Sequence, residues 1–146
     1  MPSDEFTLDF FLMPTDKVQL AYYFSKQAQT AWAFFYRNQP PGDPHRLLTF
    51  YANVHLYSPI NSFTSGIPSH VAIICKSASY IKHFINGDLV SERLAGVPAI
   101  TTNTNDLIIG AFSLVSGFGQ ATLDHLSFWN RALAPAQIKQ HSERRY

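Results

Sequence analysis

Hydrophobic and polar residues alternate along most of this chain. In FTLDFFLMP, Phe6, Leu8, Phe10 and Leu12 fall on one face of an extended segment, Thr7, Asp9, Phe11 and Met13 fall on the other, and Pro14 stops the run. That pattern predicts a half-buried strand. Comparable runs follow: QLAYYFSK (19–26), TAWAFFYR (30–37), RLLTFYANVHLY (46–57), SHVAIICK (69–76), YIKHFI (80–85), DLVSE (88–92), DLIIGAF (106–112) and ATLDHLSFW (121–129). Stretches such as NQPPGDPH and NSFTSGIPS separate them, and their Pro, Gly, Asn and Ser residues favour turns. Short strands punctuated in this way predict an all-β sandwich or barrel.

The sharpest local signal is IKHFINGDLVSE. Both central residues of a type I′ turn need positive φ, which Asn86 and Gly87 tolerate best, so a β-hairpin is expected here. Ile81, His83 and Ile85 then share one face, with Lys82 and Phe84 on the other. His83 is a single histidine among apolar neighbours, read as a hydrogen-bonded core or edge residue rather than a ligand or acid–base group. Beyond the last strand, ALAPAQIKQH predicts one short helix. Ala134 takes the cap position without a side-chain acceptor, Pro135 suits the first turn, and Leu133 and Ile138 can dock the element onto the sandwich.

At 146 residues the chain is sized for one domain, 1–146, with a single core. A hydrophobic fraction of 46% with 14% charged residues argues against disorder. The formal net charge of +1 supplies no basic field, so nucleic acid is not an expected partner. Cys75, the only cysteine, lies in the apolar run HVAIIC and reads as a buried, inert thiol. No apolar span of the ~18 residues that membrane insertion needs is present, nor a secretory leader pattern in the first thirty residues.

The succession SHVAIICKSASYIKHFINGDLVS, then NDLIIGAF, then ATLDHLSFWNRALAPAQI resembles the laminin G-like jelly rolls of the concanavalin A-like lectin and glucanase superfamily. In that family a His-Val-Ala-type strand precedes a hairpin with an Asp-Gly or Asn-Gly turn, a Leu-x-Ile-Gly strand follows, and a motif similar to Ile-Asp-Glu-Val-Arg-Ile-Tyr-Asn-Arg-Ala-Leu closes the fold. Leu123 and Asp124 match the start of the closing motif here, and Asn130, Arg131, Ala132 and Leu133 match its end. FTLDFFLMP and FSK (24–26) also resemble early strands of the family. The resemblance implies an all-β, two-sheet antiparallel β-sandwich (jelly roll) with one short C-terminal helix, and an extracellular or surface-associated setting. Two departures stand out. His125 occupies a position where the family usually carries Glu, and the chain starts at a strand the family reaches after an earlier one. A missing strand beside the closing strand implies an open sheet edge, which another chain (including a second copy), a flanking segment or a rearranged terminus can cover.

Glycoside hydrolases of the superfamily place two carboxylates about the scissile bond. The only glutamates here are Glu5, Glu92 and Glu143, far apart in sequence, so a non-catalytic module is expected. Ser65-Gly66 and Ser116-Gly117-Phe118-Gly119 read as turns. Related modules bind sugars, glycosaminoglycans or proteins, sometimes through Ca²⁺ at the rim. The oxygen donors Asp43, Asn103, Asn105 and Asp106 are dispersed over loops, so no cofactor is expected, with Ca²⁺ the one alternative. A sugar needs an exposed aromatic face flanked by polar groups. Trp32 and Tyr36 lie four residues apart on one strand face with Phe34; with Tyr51 they are the candidate ligand-binding residues, and Tyr22 and Tyr57 can join them if the strands are neighbours. Phe34 and Phe50 read as core, Trp129 as a packing residue at the sandwich end, and Asp124 as a backbone-orienting carboxylate. The function expected is carbohydrate or extracellular-partner recognition; the competing expectation is a structural or assembly domain that works through protein contacts.

Overall fold

In the computed structural model, which describes residues 5–17, 19–26, 32–39, 41–51, 54–99, 107–110 and 120–144, ten strands form two five-stranded sheets followed by one helix. The strands are β1 (Glu5–Pro14), β2 (Gln19–Lys26), β3 (Trp32–Gln39), β4 (Asp43–Tyr51), β5 (Val54–Tyr57), β6 (Ser69–Lys76), β7 (Tyr80–Ile85), β8 (Asp88–Arg93), β9 (Leu107–Ile109) and β10 (Ala121–Trp129), and the helix is α1 (Pro135–Ser142). The first sheet runs β10-β1-β6-β7-β8 and the second β5-β4-β3-β2-β9, every pair antiparallel. The expected two-sheet sandwich with one short C-terminal helix is the fold observed.

The core lies between the sheets. Phe6, Leu8, Phe10 and Leu12 of β1, with Val71, Ile73 and Cys75 of β6, meet Phe24 of β2, Trp32, Phe34 and Tyr36 of β3, and Leu47 and Tyr51 of β4. Phe6 bridges the layers, its ring 5.5 Å from that of Trp32. Cys75 is buried here, and burial pushes its thiol pKa up, so it stays protonated.

The Asn86-Gly87 turn forms as expected, with φ of 53° and 86° and Ile85 paired with Asp88. It also seats the helix. A Cβ on Gly87 would lie 2.5 Å from Lys139 Cδ and 2.7 Å from Ser142 Oγ, so positive φ and close packing both require glycine here.

Two strand expectations change. The run 46–57 is not one strand but β4 and β5 folded back on each other, with Tyr51 opposite Val54, because alternation can persist through a tight reversal. And β1 is buried on both faces rather than one. Leu133 and Ile138 dock the end of the chain over the outer side of the first sheet, against Ala72, Ile74 and Phe84, and this layer also covers Thr7 and Asp9.

Candidate functional site

The alternation that fills the core also sorts the outer face of the second sheet. In β4, Leu47, Thr49 and Tyr51 are buried between the layers, so Arg46, Leu48 and Phe50 project the other way; in β5, Leu56 points in while His55 and Tyr57 point out. Register sets Phe50 beside His55 and Leu48 beside Tyr57. On the other flank it sets Arg46 beside Arg37 of β3.

The outcome is a continuous strip. Ring centroids of Phe50 and His55 lie 5.0 Å apart, and those of His55 and Tyr57 lie 6.3 Å apart at an interplanar angle of 18°. The Arg46 guanidinium carbon sits 4.5 Å from the Tyr57 ring centroid, while its Nε donates a 2.9 Å hydrogen bond to the Ser58 carbonyl. Arg37 donates from Nε to Gln39 Oε1 at 2.9 Å. Ala33 and Leu48 are buried beneath as a floor. His55 is exposed and Phe50, Tyr57, Arg37 and Arg46 are half-buried, so rings and donors are open to solvent along one edge.

Trp32, Tyr36 and Tyr51 do come together, as the sequence reading expected, with Trp32 and Tyr51 directly opposite each other across β3 and β4. They do so on the inner face, with relative exposures of 3%, 0% and 2%. This corrects their assignment as ligand-binding residues: a sugar ring cannot stack on aromatics sealed between two sheets. The Tyr36 hydroxyl is hydrogen-bonded to His45 Nδ1, and burial pushes the pKa of both Tyr36 and Tyr51 up. Phe34 is core as expected, whereas Phe50 belongs to the outer strip. Among the described residues, Tyr57 is the sequence-named ligand candidate that lies on this face. Arg37, Arg46 and His55 were missed; their signal was the alternation of RLLTFY and VHLY once Leu47 and Leu56 are taken as inward.

Asn103, Asn105, Asp106 and the 116–119 turn lie outside the described residues, as do the side chains of Tyr22 and Asp43. Among the described residues no group of three or more His, Cys, Asp or Glu side chains is arranged to hold a metal ion. No described helix is long and apolar enough to cross a membrane.

A laminin G-type family described as the concanavalin A-like lectin/glucanases superfamily matches residues 1–139. The chain belongs to this family. No curated protein matches the sequence of this laminin G-like domain. Among solved structures it is similar to a heptameric SAP-like pentraxin from Limulus polyphemus (TM-score 0.73, 16% identity, 97% of this chain and 70% of that one). It is also similar to the receptor binding domain of botulinum neurotoxin C/D mosaic serotype (0.74, 12%, 97% of this chain and 36% of that one). A third is domain 4 of a GH43 extracellular arabinanase from Geobacillus stearothermophilus, in complex with arabinotriose (0.71, 16%, 98% and 68%). At these identities the likeness shows the fold alone.

A second polar cluster in this domain is structural. Asp9 Oδ2 accepts hydrogen bonds from Trp129 Nε1 at 2.7 Å and His141 Nδ1 at 3.0 Å, and Oδ1 lies 3.6 Å from His70 Nε2. Next to it, Thr7 Oγ1 donates to the Arg131 carbonyl (2.9 Å) and accepts from the Leu133 N–H (3.0 Å). Thus Trp129 does pack at the sandwich end, with its indole N–H satisfied. Asp124 has the backbone role expected of it: its Oδ1 accepts from the His125 N–H at 2.8 Å, bracing the β-bulge where His125 takes a φ of 50°.

Proposed function

We propose that the domain is a non-catalytic carbohydrate-binding module whose site is the Phe50–His55–Tyr57 strip with its flanking arginines. The observation that carries this reading is an open row of rings contiguous with fixed donors, which is what stacking on a pyranose or furanose ring and holding its hydroxyls require. The complex of the similar arabinanase domain with arabinotriose supports it by fold analogy. Among the described residues the paired-carboxylate chemistry of a hydrolase has no counterpart in this strip, and Glu5 and Glu92 are engaged elsewhere, with Lys76 (3.7 Å) and Lys82 (3.8 Å). An extracellular or surface setting accompanies this function.

The expected result on a glycan array is saccharide binding that Tyr57→Ala or Phe50→Ala weakens about tenfold or more, with circular dichroism unchanged. Binding unaffected by either substitution, or none to any saccharide, overturns the proposal.

One observation favours assembly as a second reading. Strand β10 ends the first sheet, and its Leu126 and Phe128, together with Leu107 and Ile109 of β9, are exposed at 41%, 38%, 40% and 53%. Phe128 stacks on Phe6 and Ile109 pairs with Phe24, so apolar side chains that line the core side are open at this margin. Light scattering on the size-exclusion peak is expected to show oligomers on this reading, and a strict monomer at high concentration removes it.

A further inference from the structure

We infer that a second copy of this chain covers the open margin, its β10 adding antiparallel to β10 about a twofold axis that passes between Asp124 and His125. This deepens, and rests on, the assembly reading rather than the carbohydrate one. The free edge is the first ground. β10 ends its sheet, and none of its nine residues is buried. At the opposite margin the edge strands β5 and β8 come together, and Val54 and Val90 pack on the core there. Helix α1 docks on Ala72, Ile74 and Phe84, on the far side of β1 from the free edge. Unpaired backbone on such an edge accepts another strand.

Pattern is the second ground, and it selects the occupant. Ala121 and Leu123 pack against the core and Phe128 stacks on Phe6 at 5.3 Å, so these residues and Leu126, two before Phe128, line the inner side. Thr122, opposite Met13, and Ser127, opposite Asp9, face outward. Asp124 is opposite Phe11, whose ring lies 5.9 Å from that of His125, so both residues of the bulge turn outward. A regular strand laid along this edge leaves one of those two unopposed, as β1 does. A second copy opposes them one to one. With Asp124 set against His125, Leu123 falls opposite Leu126, Ala121 opposite Phe128 and Thr122 opposite Ser127, apolar with apolar and polar with polar.

Charge is the third. Asp124 and His125 form a 3.1 Å pair within the chain, and the twofold axis joins that pair to its mate with unlike groups directly opposed. Because the axis stands perpendicular to the sheet, the inner sides of both copies face the same way. The two β9 strands then approach beneath the seam, where their exposed Leu107 and Ile109 find cover together with Leu126 and Phe128.

The test is light scattering on the size-exclusion peak of the full chain, joined to cysteine cross-linking that reads the register; Cys75 is buried and does not compete. A dimer is expected. Leu126→Lys, at a residue already 41% exposed, should raise its dissociation constant about tenfold or more with circular dichroism unchanged. Under mild oxidation Thr122→Cys mixed with Ser127→Cys should cross-link, because those positions are opposite, while either variant alone should not, since its own cysteines lie several residues out of register. Oligomers that survive Leu126→Lys, or cysteines that do not join in this pairing, overturn the inference while the assembly reading stands. A strict monomer at high concentration overturns both. In that monomer, β10 amides protected from exchange point to a cover from the same chain, and freely exchanging ones to a partner of another kind.

Discussion

Asp9→Ala is expected to lower the unfolding free energy by about 3–5 kcal/mol, because it removes the acceptor shared by Trp129 and His141 and the carboxylate that faces His70 at 3.6 Å. Asp9 is 3% exposed. Burial alone would raise its carboxyl pKa, but the nearby His70 imidazole and the hydrogen bonds from Trp129 and His141 outweigh that and hold it below its ordinary value of 3.8. Truncation leaves the Trp129 indole N–H and both imidazoles without the carboxylate while α1 still covers them. The urea midpoint should fall with its slope unchanged, and amide protection should drop first in α1, whose His141 loses its anchor. Asp9→Asn, nearly isosteric but uncharged, should fall between the two. An alanine variant within about 1 kcal/mol of the parent would show that the helix is held by Leu133 and Ile138 alone. The pH direction follows from the depressed pKa. The stabilisation is complete above the unfolded value of about 4 and is lost as pH drops through the lower folded value.

That cluster shows why the chain was readable in part. Strand positions and the hairpin could be placed because period-two alternation and the Asn86-Gly87 pair are local signals, each decided within a few residues. The Asp9 network joins residues 120 or more positions apart, through Trp129 and His141. Locally, Asp9 looks like a polar residue on the solvent side of a half-buried strand. Only the return of the chain as α1 makes that side an interior.

The outer strip was missed for a different physical reason. Alternation tells which residues share a face, and it correctly grouped Trp32, Phe34 and Tyr36, while Tyr51 joins them because β3 and β4 are neighbours. It does not tell which face is inward when both are apolar. In WAFFY and RLLTFY large hydrophobics occur on both parities, so aromatic content cannot choose between core and surface. The arginines could have chosen. Arg37 and Arg46 share the parity of Phe50 rather than of Tyr36 and Tyr51, and guanidiniums are almost never buried without partners, which marks the other face as the open one.

Acid should destabilise the domain through His83, and His83→Gln should remove that sensitivity. His83 is fully buried, with Nε2 2.6 Å from Thr49 Oγ1 in the opposite sheet and Nδ1 2.9 Å from Ser91 Oγ. A neutral imidazole is satisfied by this pair, one nitrogen donating and the other accepting, since a hydroxyl can do either. The cation would have to donate from both nitrogens and carry its charge in the core. Desolvation therefore holds its pKa down from 6.5 to about 3. Between those values the unfolded chain binds a proton that the folded chain refuses, so stability falls as the pH is lowered. Well below pH 6.5 each pH unit costs about 1.4 kcal/mol, and the loss from pH 6.5 to 4.5 is roughly 2 kcal/mol. Asp9 adds its loss only below about pH 4, so the two windows are separable. At pH 7 His83→Gln should be less stable than the parent by about 2 kcal/mol, since glutamine cannot span both hydroxyls. By pH 4.5 the gap should close or reverse, because only the parent carries the titration. Urea midpoints for the two proteins that fall in parallel from pH 7 to 4.5 would mean that water or a structural relaxation lets His83 accept its proton in place.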